Sequence, residues 1–115
     1  MLYGIVRKIE MLELKTHEGK KFRKVEFVCD VTDAKGYVKT LKGSYGEEYA
    51  KRYFKYCEIT TKDLIGKKVG VVLAKRSYEK DGEQHIVQFI RFMNVLDKDG
   101  NAIIMPRDNE QPMDF

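Results

Sequence analysis

Tryptophan is absent from this 115-residue chain, and cysteine, proline and histidine occur twice each. Each shortage excludes something. Without Trp, any flat platform for a ligand must come from the seven Tyr and six Phe. Cys29 and Cys57 have no paired Cys or His nearby, so the spacing of a zinc site is missing, and both read as reduced thiols of a cytosolic protein. His17 falls in a polar turn and His85 at a strand start, with no regular spacing to each other or to a cysteine. That excludes a recognisable metal or triad constellation. No apolar run approaches the ~18 residues of a membrane-spanning helix. Met1-Leu2-Tyr3-Gly4 lacks the basic start and apolar stretch of a signal peptide, so the expected location is cytoplasmic. No Gly-rich loop precedes a helix as a phosphate cradle would, and no cofactor is expected. There is no internal repeat or low-complexity segment.

Charge is abundant, at 35% of residues, and unevenly placed. Residues 1–105 hold 21 Lys and Arg against 15 Asp and Glu, whereas the last ten hold Arg107 against Asp108, Glu110 and Asp114. A basic body with an acidic tail fits a binder of polyanions. The length suits one domain, since domains commonly run about 100–150 residues. The expected division is a folded domain over 1–105 and a flexible acidic tail over 106–115. Pro106 and Pro112 discourage a helix in that tail, and it has no periodic apolar face.

Hydrophobic periodicity marks five strands and one helix. Residues 2–14 are rich in Ile, Val and Leu, with Gly4 placed where a bend or bulge is cheap. Over 22–32, Val25, Phe27, Cys29 and Val31 share one face while Lys24, Glu26 and Asp30 share the other, which is the alternation of a half-buried strand. Asp33-Ala34-Lys35-Gly36 offers a hairpin turn into a third strand over 37–43. Ser44-Tyr45-Gly46-Glu47 has the capping-box pattern, and the stretch to Cys57 reads as a helix whose stripe of Tyr49, Ala50, Tyr53, Phe54 and Cys57 packs on the sheet. Residues 60–66 read as a loop with a possible single turn. Strands over 67–78 and 85–96 follow, joined at Glu79-Lys80-Asp81-Gly82-Glu83, and 102–105 offers a short edge strand. Three strands, a helix and two strands is the element order of the OB-fold, a mainly β, five-stranded Greek-key barrel with its helix between strands 3 and 4.

Two motifs carry a family resemblance. Leu64-Ile65-Gly66-Lys67-Lys68-Val69-Gly70-Val71-Val72-Leu73 runs on to Arg76, Tyr78 and the Asp81-Gly82 turn, and Asn94-Val95-Leu96-Asp97 forms a second strand-turn unit. Together they resemble a family of small phage-encoded proteins similar to OB-fold single-stranded DNA-binding proteins. The tail is similar to the acidic C-terminal tip of bacterial and phage members, through Asp108, Glu110, Pro112, Asp114 and Phe115, although Asn109 and Gln111 interrupt the acidic run. The resemblance implies binding of single-stranded DNA without marked sequence choice, during replication or recombination, in a bacterial host cell or bacterium. It also implies that Asp114 and Phe115 dock replication or recombination proteins. A homodimer is expected because an exposed edge strand invites pairing.

Single-strand binding needs cations for the phosphates and flat side chains for the bases. The candidates interleave both types. Phe22, Arg23 and Lys24 sit after the first hairpin. Tyr37 and Lys39 share parity on the third strand, and Lys42 and Tyr45 continue the pattern. Lys75, Arg76 and Tyr78 lie at the exit of the fourth strand, with Arg76 and Tyr78 on one face. Arg91 is flanked by Phe89 and Phe92, which cannot share a side of a regular strand, so at least one is expected in the core. Catalysis is not expected. A metal-dependent nuclease built on Glu26, Asp30 and Asp33 would draw its ligands from one strand and turn, whereas two-metal sites draw on several elements. The competing class is an OB-like adaptor or inhibitor that touches no DNA.

Overall fold

The structure, a computed structural model, describes residues 2–105. The tail read above as a partner-docking tip, with Asp114 and Phe115, lies outside the described residues. The elements run β1 (Leu2–Lys15), β2 (Lys21–Thr32), β3 (Val38–Gly46), α1 (Glu47–Tyr56), α2 (Thr61–Leu64), β4 (Lys68–Lys80) and β5 (Glu83–Val95). The five strands form one sheet that closes in a ring in the order β1-β2-β3-β5-β4. All neighbours are antiparallel except β3 and β5, which run parallel and meet at a single pair, Gly43 and Ile90. No helix among the described residues is long and apolar enough to cross a membrane.

The ring interior is filled by the inward residues of each strand. Val6, Phe27, Cys29, Val69, Val71, Ile90 and Met93 are all at or below 2% exposure. Helix α1 closes one end with Ala50, Tyr53 and Phe54, as the Tyr-rich stripe predicts. Cys29 is a free thiol in this interior, and burial first, then the neighbouring Asp30 charge, pushes its pKa up to about 12. It is therefore a neutral packing group.

Several local expectations give way to tertiary packing. The capping box does not form: Ser44 stays in β3 opposite Glu26, and the helix begins after Gly46, which makes no side-chain cap. Extending β3 by one more pair seats Tyr45 opposite Val25 and buries its ring 5.1 Å from that of Phe27. That burial outweighs one cap hydrogen bond, since burying a large side chain contributes ~1.5–3 kcal/mol and a cap about 1. The bulge in β1 falls at Arg7, between Val6 and Lys8, not at Gly4. Gly4 instead permits close packing, because a Cβ there would lie 3.1 Å from the Asp30 carbonyl oxygen. The edge strand expected at 102–105 reduces to one bridge, Leu96 with Ala102.

The single β3–β5 pair leaves much of the β5 edge without a strand partner, and two tyrosine hydroxyls take the ladder's place. Tyr45 donates to the Met93 carbonyl and accepts the Met93 N–H at 2.8 Å. Tyr53 accepts the Val95 N–H at 2.9 Å and donates to the Ile103 carbonyl at 2.6 Å. Burial raises the pKa of both phenols, so each stays protonated and can donate. At the pair itself, a Cβ on Gly43 would lie 2.5 Å from the Ile90 carbonyl oxygen and 2.6 Å from the Phe27 ring. Two substitutions test this closure by urea unfolding. Tyr53→Phe keeps the ring packing but strands a buried N–H, and is expected to cost ~1–3 kcal/mol. Gly43→Ala forces strand and ring apart, and is expected to cost ~1–3 kcal/mol or more.

Candidate nucleic-acid interface

Before the Gly43–Ile90 pair, β3 and β5 diverge. The gap is a groove of about 650 Å³ between Thr40–Ser44 of β3 and Val87–Arg91 of β5, with Lys24 and Glu26 of β2 and Arg76 of β4 at its sides. Four of the sequence candidates come together there: Lys24, Lys42, Arg76 and Arg91. None of the four is in an ion pair with another described residue, and Glu26 is the only carboxylate in the lining. Unpaired cations crowded around one gap make it a strongly positive surface, suited to a polyanion.

The β4–β5 hairpin builds one wall. Its turn is the two-residue Asp81-Gly82, with φ of 54° and 78°, the left-handed pair that a tight hairpin needs. This turn fixes the register: Arg76 faces Val87 and Tyr78 faces His85. The Arg76 guanidinium lies 5.4 Å from the centroid of Phe89. Farther out on the same face, Tyr78 stacks on His85 at 5.3 Å and 22° between planes. A row of flat groups thus leads from the groove to the hairpin tip.

A bulge places Arg91. The β4–β5 register slips between Val72 and Leu73, so that Ile90 and Met93, three apart, are both buried. Arg91 and Phe92 then both lie outside, with the guanidinium 5.6 Å from the Phe92 centroid. This corrects the expectation that Phe89 or Phe92 is core. The strand is not regular: Phe92 is 41% exposed and Phe89 is half-buried in the groove lining.

The remaining candidates lie elsewhere. Tyr45, named as a stacking residue, is a core side chain at 7% exposure, held by Met93. Arg23 pairs with Glu47 at 2.8 Å, and Lys51 reaches the same oxygen at 3.8 Å, so this arginine ties β2 to the first turn of α1. Phe22 is 45% exposed beside it, in a separate shallow cleft with Glu13 and Lys21. Tyr37 stands 68% exposed at the β2–β3 turn. Neither Lys39 nor Lys75 is among the residues that line the groove, and Lys75 is on the other side of β4 from Arg76. Sequence reasoning missed His85 as the partner of Tyr78 and Phe89 as the partner of Arg76. The Asp-Gly turn held that signal, because counting back from it pairs 78 with 85.

Two of the three carboxylates considered for a nuclease have structural partners, and the third, Glu26, lines the groove. Asp30 accepts from Arg7 at Oδ2 and from the Thr40 hydroxyl at Oδ1, 2.8 Å away. Asp33 Oδ1 accepts the backbone N–H groups of Lys35 and Tyr37 at 2.8 and 3.0 Å, an Asx turn that shapes the β2–β3 connection. No group of three or more His, Cys, Asp or Glu is placed to hold a metal ion among the described residues. No known protein family, curated protein or solved structure matches the chain.

The Arg7 hydrogen bond, followed by that from Thr40, lowers the Asp30 pKa below its ordinary 3.8. A depressed carboxylate contributes stability above its unfolded pKa and loses it as pH falls through the folded value. The β1–β2–β3 link is therefore intact at neutral pH and released only below about pH 4. NMR titration of the Asp30 carboxyl is expected to give a midpoint below 3.8 in the native protein and a higher one in Arg7→Gln.

Proposed function

We propose that the ring is an OB-fold barrel and that the chain binds single-stranded DNA in the β3–β5 groove, without marked sequence specificity, protecting the strand during replication or recombination. The observation that carries this reading is the set of four unpaired cations, Lys24, Lys42, Arg76 and Arg91, around one open groove. Its hairpin wall supplies Phe89 and the Tyr78–His85 stack beside those cations. The strand order, the parallel β3–β5 contact and the helical segment between β3 and β4 support the fold assignment. Phosphates lie along the cations and bases against the flat groups, an arrangement that tolerates any base. A duplex reader would present a helix or ribbon to the major groove, whereas α1 buries its apolar face in the ring. The C-terminal tip, Asp114 and Phe115, docks replication or recombination proteins, and the chain works as a homodimer.

Fluorescence anisotropy with labelled oligo-dT tests the reading. Affinity is expected to fall with salt with a log–log slope of about −0.7 per phosphate neutralised, or about −3 for four groove cations. Binding that is equal or tighter to duplex at ~0.15 M salt overturns the proposal, and an adaptor that touches no DNA gives no salt-dependent binding at all. Arg76→Ala is expected to flatten the slope by something under one unit. Tyr78→Ala is expected to weaken binding by ~1–3 kcal/mol while leaving the fold intact. Lys39→Ala and Lys75→Ala, which remove cations outside the groove, are expected to leave both affinity and slope unchanged.

A further inference from the structure

A second cleft, of about 500 Å³, opens on the outer face of the same sheet, among Tyr3 and Ile5 of β1, Asp30 of β2, Asp33 of the following turn and Lys68 of β4. Strand register places it relative to the groove. One row across the sheet runs Lys42, Val28, Lys8; the next runs Thr40, Asp30, Ile5, Lys68; the third runs Val38, Thr32, Tyr3. Two rows therefore separate Lys42 from Tyr3, roughly 13 Å along the strands at about 3.3 Å per residue, together with two strand spacings of about 4.8 Å across the sheet. Groove and cleft share a rim. Thr40 lines the groove, its hydroxyl donates to Asp30, and Asp30 lines the cleft.

The two cavities differ in chemistry. Four unpaired cations serve the groove, whereas the charges about the cleft largely cancel. Arg7 neutralises Asp30, Lys68 and Asp33 both belong to the lining, and Asp33 is occupied in its own turn. The cleft's flat surface is the Tyr3 ring, 38% exposed, with the Lys68 ammonium 4.4 Å from its centroid. A phosphate gains little in such a place. An uncharged base that displaces the Lys68 ammonium from over the Tyr3 ring gains a stacking face and keeps that cation nearby. Between the cavities, the β1 bulge leaves Arg7 and Lys8 with side chains 61% exposed, but each is paired, with Asp30 and Glu10, so the rim adds no free cation to a strand crossing it.

We propose that the Tyr3 cleft holds a nucleobase of the same single strand whose phosphates lie along the β3–β5 groove. The cleft is a second, stacking subsite two sheet rows from the first. This inference rests on the single-strand reading above and adds a site to it. It follows that the cleft contributes affinity without contributing to the salt dependence, and only for strands long enough to reach it.

The test uses the full chain and oligo-dT of increasing length, from about 4 nucleotides upward. Tyr3→Ala is expected to weaken binding of the long oligonucleotides by roughly 5- to 150-fold, the effect of losing one stacked base. The salt slope and the binding of the shortest oligonucleotide are expected to stay as in the native protein, and Tyr3→Phe to restore the loss. A photocrosslink from 5-iodouracil in a long oligo-dT to the unsubstituted protein is expected to map to the β1 segment around Tyr3, a readout independent of how the variants fold. Native-like binding by Tyr3→Ala, with crosslinks confined to β3 and β5, overturns the cleft and leaves the groove standing. A changed salt slope in Tyr3→Ala also overturns it, because the cleft would then be taking a phosphate. If the native protein binds no oligo-dT at any length, the groove reading fails, and the cleft with it.

Discussion

The contact between Gly43 and Ile90 is the constraint on which the rest of the structure depends. Closing a five-stranded sheet brings β3 and β5 together from opposite sides of the ring, and here they touch at one pair. The touch requires glycine, since the Ile90 carbonyl and the Phe27 ring fill the space of a Cβ. That point divides the β5 edge in two. Toward its C-terminus, Met93 and Val95 would be buried without backbone partners, and the hydroxyls of Tyr45 and Tyr53 supply them. Toward its N-terminus the strands splay and leave the groove. The sealing of the core and the opening of the site are two consequences of the same short closure.

The distribution of charge follows from this geometry. Several cations elsewhere on the surface have carboxylate partners: Arg7 with Asp30, Lys8 with Glu10, Lys21 with Glu13, Arg23 and Lys51 with Glu47. Exposed pairs of this kind contribute little to stability, about 0–1 kcal/mol each. Their effect is to cancel the field where they stand. The groove keeps Lys24, Lys42, Arg76 and Arg91 without such partners, so a modest excess of basic residues becomes a local potential. Mutual repulsion among them is tolerable because the groove is open to water and salt, which screen exposed charges beyond roughly 8–10 Å.

Much of the fold was legible in the sequence because it rests on local rules. Alternation in 22–32 gave the inward set Val25, Phe27, Cys29 and Val31, and these are the buried residues. Glycine turns gave the hairpins, and the Tyr-rich stripe gave the packed face of α1. What was not legible depended on long-range contacts. Tyr45 follows Lys42 three residues on, in the interleaved pattern of a stacking residue, and only the approach of β5 makes it a core group. Arg23 sits in a basic run, and only the helix start at Glu47 turns it into a tie. Parity extrapolated along a regular strand misplaced Phe89 and Phe92, because nothing in Phe89-Ile90-Arg91-Phe92 announces a bulge.

That bulge shows why the site could be read only in part. Regular alternation would put Arg91 and Phe92 on opposite faces, and one of the two would enter the apolar interior. Inserting one extra residue lets Ile90 and Met93 both stay inside at 1% and 0% exposure. It also turns Arg91 toward the groove and Phe92 to the outer surface, where neither costs burial. A bulge adds local twist as well, and this one lies where β4 and β5 leave the ring to form the free hairpin that carries Arg76, Tyr78 and His85. The core gains an unbroken apolar row, and the groove gains a cation and the base of its wall, from one unpaired residue. The sequence fingerprint of such an arrangement is an apolar spacing of three inside a strand that otherwise alternates, as in Ile90 to Met93. It becomes readable only when the neighbouring strand, here Val71 opposite Met93 and Leu73 opposite Ile90, is laid beside it.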